Sequence, residues 1–224
     1  MNQELANVIR IYTTGTHKEL SEYLIGKSKD NLIAMLVDLL TMYINDKNSS
    51  TIREFITITL AGYKHQRSKI GYNGFKQDAF VPGKTIKCEA KTKNIHTGTK
   101  SSKLNGGGNF TDYTPARLKR DKKENLNILV SGFIDGKLIY IIEFPFNCPS
   151  FVKCLEKQIK KWQKKLKGSK TTKGQFLRSA SFTYKDYIKC PKLKVVFLLP
   201  KKELSKYKDY IVKDFYKFLI KKAK

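Results

Sequence analysis

The chain has 224 residues, enough for one domain with a full hydrophobic core and too few for two of ordinary size. Its 45 lysines and arginines outnumber its 19 aspartates and glutamates, a net charge of +26 that repels itself and that a polyanion relieves. A bias toward lysine, isoleucine and asparagine explains lysine in place of arginine but not the scarcity of acids. Nucleic acid is therefore the expected partner, ahead of an acidic membrane surface.

The N-terminus MNQELANVIR lacks the basic head and apolar run of a signal peptide. The most apolar stretch, Leu32 to Ile44, contains Asp38 and falls short of the roughly 20 residues that a membrane span needs. A cytoplasmic protein without a membrane anchor is expected. Residues 28–46 place Leu32, Met35, Leu36, Leu39, Leu40 and Tyr43 at helical spacing, so residues 1–50 form a helical N-terminal segment and the candidate surface for a homodimer. A second helix starts at Thr51, where Thr51 and Glu54 make a capping-box pattern; capping is the first role assigned to Glu54.

Beyond Gly62 the stretch GYNGFKQDAF is rich in turns, and TIKCEAK alternates. Ile86, Cys88 and Ala90 point one way; Thr85, Lys87, Glu89 and Lys91 point the other. Residues 94–110, NIHTGTKSSKLNGGGNF, have no apolar period and read as a long functional loop. Asn127–Phe133 and Leu138–Phe144 are strands joined through Asp135-Gly136, a hairpin-turn signal. Pro149 opens a helix with Phe151, Leu155, Ile159, Trp162 and Leu166 inward and lysines outside. Leu193–Leu199 reads as an interior strand, and Pro200 starts a last helix that buries Leu204, Tyr207, Ile211, Phe215 and Phe218. The order of elements predicts an α/β fold, a central mixed β-sheet flanked by helices, in one domain: residues 1–50 helical, 51–199 the core, 200–224 the C-terminal helix. Cys88, Cys148, Cys154 and Cys190 contain no CxxC pair and the three histidines are scattered, which disfavours zinc and predicts free thiols.

The window QDAFVPGKTIKCEAK, residues 77–91, spends scarce acids. Glu89 and Lys91 are two apart on one strand, Cα atoms roughly 6.6 Å apart and side chains on one side. Phosphodiester hydrolysis needs an activated water and charge stabilisation, which carboxylate-held divalent metal can supply, and magnesium accepts few protein ligands. In this reading Glu89 binds metal and Lys91 orients the attacking water. Asp78, eleven residues before Glu89 across Pro82-Gly83, is expected to fold back beside it. Asp121-Lys122-Lys123 and Asp135-Gly136-Lys137 have the same acid-x-Lys form, but are expected in a charged loop and a hairpin turn.

Asp78 followed by Glu89-Ala90-Lys91 on a strand resembles the Asp…(Asp/Glu)-x-Lys signature of the PD-(D/E)XK nuclease superfamily, and within it a type II restriction endonuclease. The resemblance covers the element order of residues 51–199. It implies a restriction-endonuclease-like core of helix, three strands, helix and strand. It also implies Mg2+-dependent, sequence-specific cleavage of double-stranded DNA leaving 5'-phosphates. Asp78, Glu89 and Lys91 would be catalytic, with Asp78 and Glu89 as metal ligands. A homodimer would present two sites to a palindrome. For DNA contact the candidates are Lys64, Arg67, Lys100, Lys103, Asn105, Asn109, Arg117, Arg120, Gln175 and Arg178, basic or amide side chains on segments able to approach a phosphate or a groove. The alternatives are a structure-specific repair or junction-resolving nuclease and a non-enzymatic basic nucleic-acid-binding protein.

Overall fold

The computed structural model describes residues 2–45, 50–66, 72–98, 103–167 and 176–224. Its centre is the hairpin of β5 (Asn127–Ile134) and β6 (Lys137–Pro145), in which every residue except the outermost is buried. Strands apolar on both sides must be covered on both faces. Asp135 and Gly136 join them with φ of +48° and +79°, the left-handed pair that a two-residue hairpin turn demands.

Six strands form the main sheet, in the order β1 (Lys64–His65), β2 (Gly74–Gln77), β3 (Thr85–Ile95), β5, β6 and β8 (Lys194–Leu198). Only β3 and β5 are parallel; every other neighbouring pair is antiparallel, so the sheet is mixed, as the order of elements predicts. A parallel pair needs a crossover. The one between β3 and β5 runs through β4 (Gly108–Tyr113) and helix α5 (Pro115–Glu124). β4 pairs with β7 (Leu177–Phe182) in a separate two-stranded sheet.

One face of the main sheet is covered by α4 (Thr51–Leu60) and the N-terminal helices α1 (Gln3–Thr14), α2 (His17–Ile25) and α3 (Lys29–Asn45). Leu5, Ile9, Met35 and Ile56 pack there on Phe133, Leu138 and Ile141, while Ile58 and Tyr63 pack on Cys88, Ala90 and Leu129. The other face carries the larger core, where Phe110, Phe151, Phe182 and Tyr187 meet Ile128, Val130, Ile142 and Phe144. Helix α6 (Pro149–Lys167) contributes to it with Phe151, Leu155 and Ile159 buried. Among the described residues no helix is long and apolar enough to cross a membrane.

Two segments depart from expectation. Asp121-Lys122-Lys123 lies in helix α5 and not in a loop: Thr114 caps it by accepting from Arg117 N, and Pro115 occupies its first turn. With Leu118 as its only buried apolar residue, α5 leaves no periodic trace in the sequence. The last helix is broken into α7 (Lys201–Ser205) and α8 (Lys213–Lys222), because Ile211 leaves it to form a parallel bridge with Leu104. Leu104 N donates to Tyr210 O and Val212 N donates to Leu104 O, which anchors the long loop between β3 and β4 in the core.

Thr57 on α4 and Ser131 on β5 are both fully buried and share a 2.7 Å hydroxyl hydrogen bond that docks the helix on the sheet. Thr57→Val leaves the Ser131 hydroxyl without that partner and is expected to cost about 1–3 kcal/mol in urea denaturation. Unchanged stability would show that the bond does not hold α4.

Candidate active site

The site starts where two strands part. β2 pairs with β3 only from Gly74–Gln77 against Thr85–Cys88, and at Asn73 the ladder ends. The Asn73 carboxamide substitutes for the missing strand: its Oδ1 accepts from Ala90 N at 2.9 Å, and its Nδ2 reaches Glu54 Oε2 at 3.5 Å. Past Ala90 no strand among the described residues pairs with the outer edge of β3, and a cleft of about 570 Å³ occupies the gap. Ser50 and Glu54 of α4 form one wall, Ala90 to Lys93 the floor, and Asn105, Gly107, Gly108, Asn109 and Ser181 to Thr183 the other wall.

The glycine run at 106–108 is a packing requirement. A Cβ on Gly107 would collide with the Phe182 carbonyl, and one on Gly108 would lie 2.7 Å from Lys91 Cβ. Only a bare backbone lets β4 pass this close over Lys91.

Glu89 and Lys91 lie on one side of β3, with Lys91 Nζ 2.6 Å from Glu89 Oε1. Arg117 from α5 reaches the same carboxylate, its Nη2 3.0 and 3.2 Å from Oε1 and Oε2, while its Nη1 donates to Thr111 O. Behind it Asp121, fully buried, accepts from Arg120 Nη2 at 3.0 Å and from the Tyr113 hydroxyl at 3.4 Å. Burial pushes the Asp121 carboxyl above its usual range, opposed by the Arg120 guanidinium bonded to it. Lys91 Nζ also sits 4.4 Å over the Phe110 ring, and Arg117 flanks the same ring at 5.5 Å. Two carboxylates thus meet three cations in a half-closed space, and the cluster keeps one positive charge.

Asp78 is not brought to this cluster. The β2–β3 register sets Gln77 opposite Thr85, so Asp78 falls five residues from Glu89 along the sheet, roughly 16 Å away. Its carboxylate accepts from Phe80 N at 3.0 Å and pairs with Lys84 at 3.2 Å. The Phe80 N–H, more than Lys84, holds it below the usual carboxylate range. It serves the turn that returns the chain to β3, and the residue one step beyond the Gly74–Cys88 pair, opposite Glu89, is Asn73.

Glu54 moves the other way. Ser50 takes the cap position of α4 without a side-chain hydrogen bond, so Glu54 is the fourth helical residue and lies in the cleft wall beside Asn73. Sequence reasoning also passed over Lys93, whose signal was the continued alternation Glu89, Lys91, Lys93. It lines the cleft, its ammonium donates to Lys103 O, and burial lowers its pKa.

Of the DNA-contact candidates, Asn105 and Asn109 line the cleft, and the Asn105 carboxamide accepts from Gly107 N. Lys103 is exposed beside it, Lys64 is exposed on β1, and Arg178 is exposed on β7. Arg117 is committed to Glu89, and Arg120, half exposed, to Asp121. Arg67, Lys100 and Gln175 lie outside the described residues. Lys153, Lys157, Lys160, Lys161 and Lys164 line a groove on α6 together with Glu156.

Magnesium takes hard oxygen donors; the Glu54 carboxylate and the Asn73 carboxamide stand together at the open edge, whereas Glu89 alternates with Ala90 on β3 and does not line the cleft. Glu89 is already held by Lys91 and Arg117, one of which a metal would replace. Among the described residues no three His, Cys, Asp or Glu side chains converge. Comparison with models of known protein families gives no match to this chain, and a search of curated protein sequences gives none.

The Glu89–Arg117 contact is 6% and 23% exposed at its two ends, so removing one partner strands a buried charge. Arg117→Met and Glu89→Gln are each expected to destabilise by about 3–5 kcal/mol in denaturant unfolding, and the double variant by much less than the sum. Additivity within about 0.5 kcal/mol would show that the two side chains are not coupled.

Proposed function

We propose that this protein is a magnesium-dependent endonuclease that cuts double-stranded DNA at specific sequences and leaves 5'-phosphates, as type II restriction enzymes do. The observation that carries this reading is the Glu89–Lys91 pair at the point where β3 loses its partner, beside a cleft in a chain of charge +26. The succession α4, β1, β2, β3, α5, β5 around the main sheet, with β4 outside it and β3 and β5 parallel, supports it as the framework that the signature implies.

A DNA strand in the cleft meets cations before anything else. Lys93 and Lys103 attract the phosphates, and Asn105 and Asn109 offer amides to backbone or base edges. Lys91, freed from Glu89 as a phosphate approaches, holds the attacking water with its ammonium and balances the charge that grows on the phosphate oxygens. Glu89 and Glu54 are the carboxylates that would hold magnesium, which when bound supplies Lewis-acid charge and lowers the pKa of a water. Arg117 keeps Glu89 oriented, with Asp121 and Arg120 behind it. In this arrangement Glu54, from the cleft wall, takes the part first assigned to Asp78. The lysines of α6 extend phosphate contact beyond the cleft, and binding is expected to fall steeply with salt.

One observation favours a second reading, a basic nucleic-acid-binding protein without hydrolytic activity: both oxygens of Glu89 are engaged by cations, and Asp78 is remote. Substitutions separate the two. Under the nuclease reading, Lys91→Ala and Glu54→Gln lower cleavage by about 10²-fold or more while DNA binding persists, and Asp78→Asn leaves it within a few-fold. Full cleavage by Lys91→Ala would overturn the assignment. Loss of cleavage in Asp78→Asn would return the metal site to Asp78.

A further inference from the structure

Helix α3 is apolar on two sides. Its inner side places Met35, at 5% exposure, against Leu5, Ile9 and Ile56. Its outer side carries Leu32, Ile33, Leu36, Val37, Leu40 and Tyr43, all 40% to 65% exposed. These recur at intervals of three and four residues, so they form one continuous stripe. A contiguous exposed apolar patch marks a contact surface. The charged residues of α3 leave the stripe clear: Lys29 and Asp30 are at its first turn, and the Asp38 carboxylate turns toward α1 to accept from Asn2 N.

Charge says what can cover it. Residues 1–50 contain five lysines and arginines and six aspartates and glutamates, net −1, whereas the whole chain is +26 and residues 51–224 therefore carry +27. A second copy approaching through residues 51–224 meets a net +27, whereas the segment that carries α3 is nearly neutral. An anionic lipid surface would draw on the lysine-rich remainder instead. The stripe is also centred on the helix: the span from Leu32 to Tyr43 has its middle beside Val37, the midpoint of the 17-residue helix. A two-fold axis through that midpoint sets Ile33 near the partner's Leu40 and makes the stripe complementary to itself over about 18 Å, with the helix dipoles opposed.

We propose that the protein is a two-fold dimer in solution, joined by α3 packed antiparallel on the α3 of a second copy. This does not depend on the nuclease reading, because it uses neither the cleft nor Glu89. Sedimentation equilibrium on the full chain tests it. The wild type is expected to have twice the chain mass, with a dissociation constant of about 1 µM or tighter. Leu36→Lys combined with Val37→Lys is expected to give the mass of one chain with unchanged circular dichroism, since both positions are more than half exposed. A wild type with the mass of one chain at about 100 µM overturns the proposal, whether or not it then floats with phosphatidylcholine vesicles. A folded double-lysine variant that remains dimeric overturns it equally.

Discussion

A strand bonded along one edge and open along half of the other must satisfy its backbone at the place where pairing stops. In this protein a single side chain does so. Asn73 takes the Ala90 N–H that the next residue of β2 would otherwise have met, and its amide turns toward Glu54. The cleft, the exposure of the β3 edge from Lys91 onward and the meeting of α4 with that edge all follow from this substitution of side chain for strand. An unpaired strand edge is a liability in an ordinary sheet. Here the loop through Asn105 to Asn109 faces it across the cleft.

On the sheet side that carries the larger core, β3 presents charge to a space too closed for charge to be comfortable. Glu89 and Asp121 are compensated by Lys91, Arg117 and Arg120, and burial pushes the Asp121 carboxyl above its usual range. The residual positive charge is directed by geometry: Arg117 and Arg120 are fixed on carboxylates from α5, while Lys91 reaches Glu89 from the strand itself and shares the cleft wall. On the proposed nuclease reading, the lysine is the cation of the cluster that exchanges a carboxylate for a phosphate without dismantling the helix. Stability and the proposed function then draw on the same residues, and the cost of losing Arg117 is expected in unfolding before it is seen in chemistry.

Much of the scaffold was legible in the sequence because it rests on local patterns. The β5–β6 hairpin follows from two apolar runs about Asp135-Gly136, α6 from its stripe of Phe151, Leu155 and Ile159, and β3 from strict alternation. What could not be read is register and docking. An eleven-residue separation between Asp78 and Glu89 suits many alignments of β2 on β3, and only the packing of Gly74 between Ile58 and Cys88 selects the one that puts Asn73 beside Ala90. Arg117 looked like a base reader because its partner, Glu89, is 28 residues away and unknowable from spacing. Glu54 looked like a cap because the helix start was placed one residue late. The glycines at 106–108, part of what read as a long functional loop, are required by Phe182, Phe215 and Lys91. The break of the last helix at Ile211 depends on Leu104, more than a hundred residues earlier.

The central claim is that the open edge of β3 hydrolyses DNA. Its most direct test is incubation of the purified protein with a long DNA of mixed sequence, with magnesium and with EDTA in its place, followed by electrophoresis. The account predicts discrete fragments carrying 5'-phosphates that appear only with magnesium. A mobility shift indifferent to the metal, with the DNA intact, would contradict it and leave a basic DNA-binding protein.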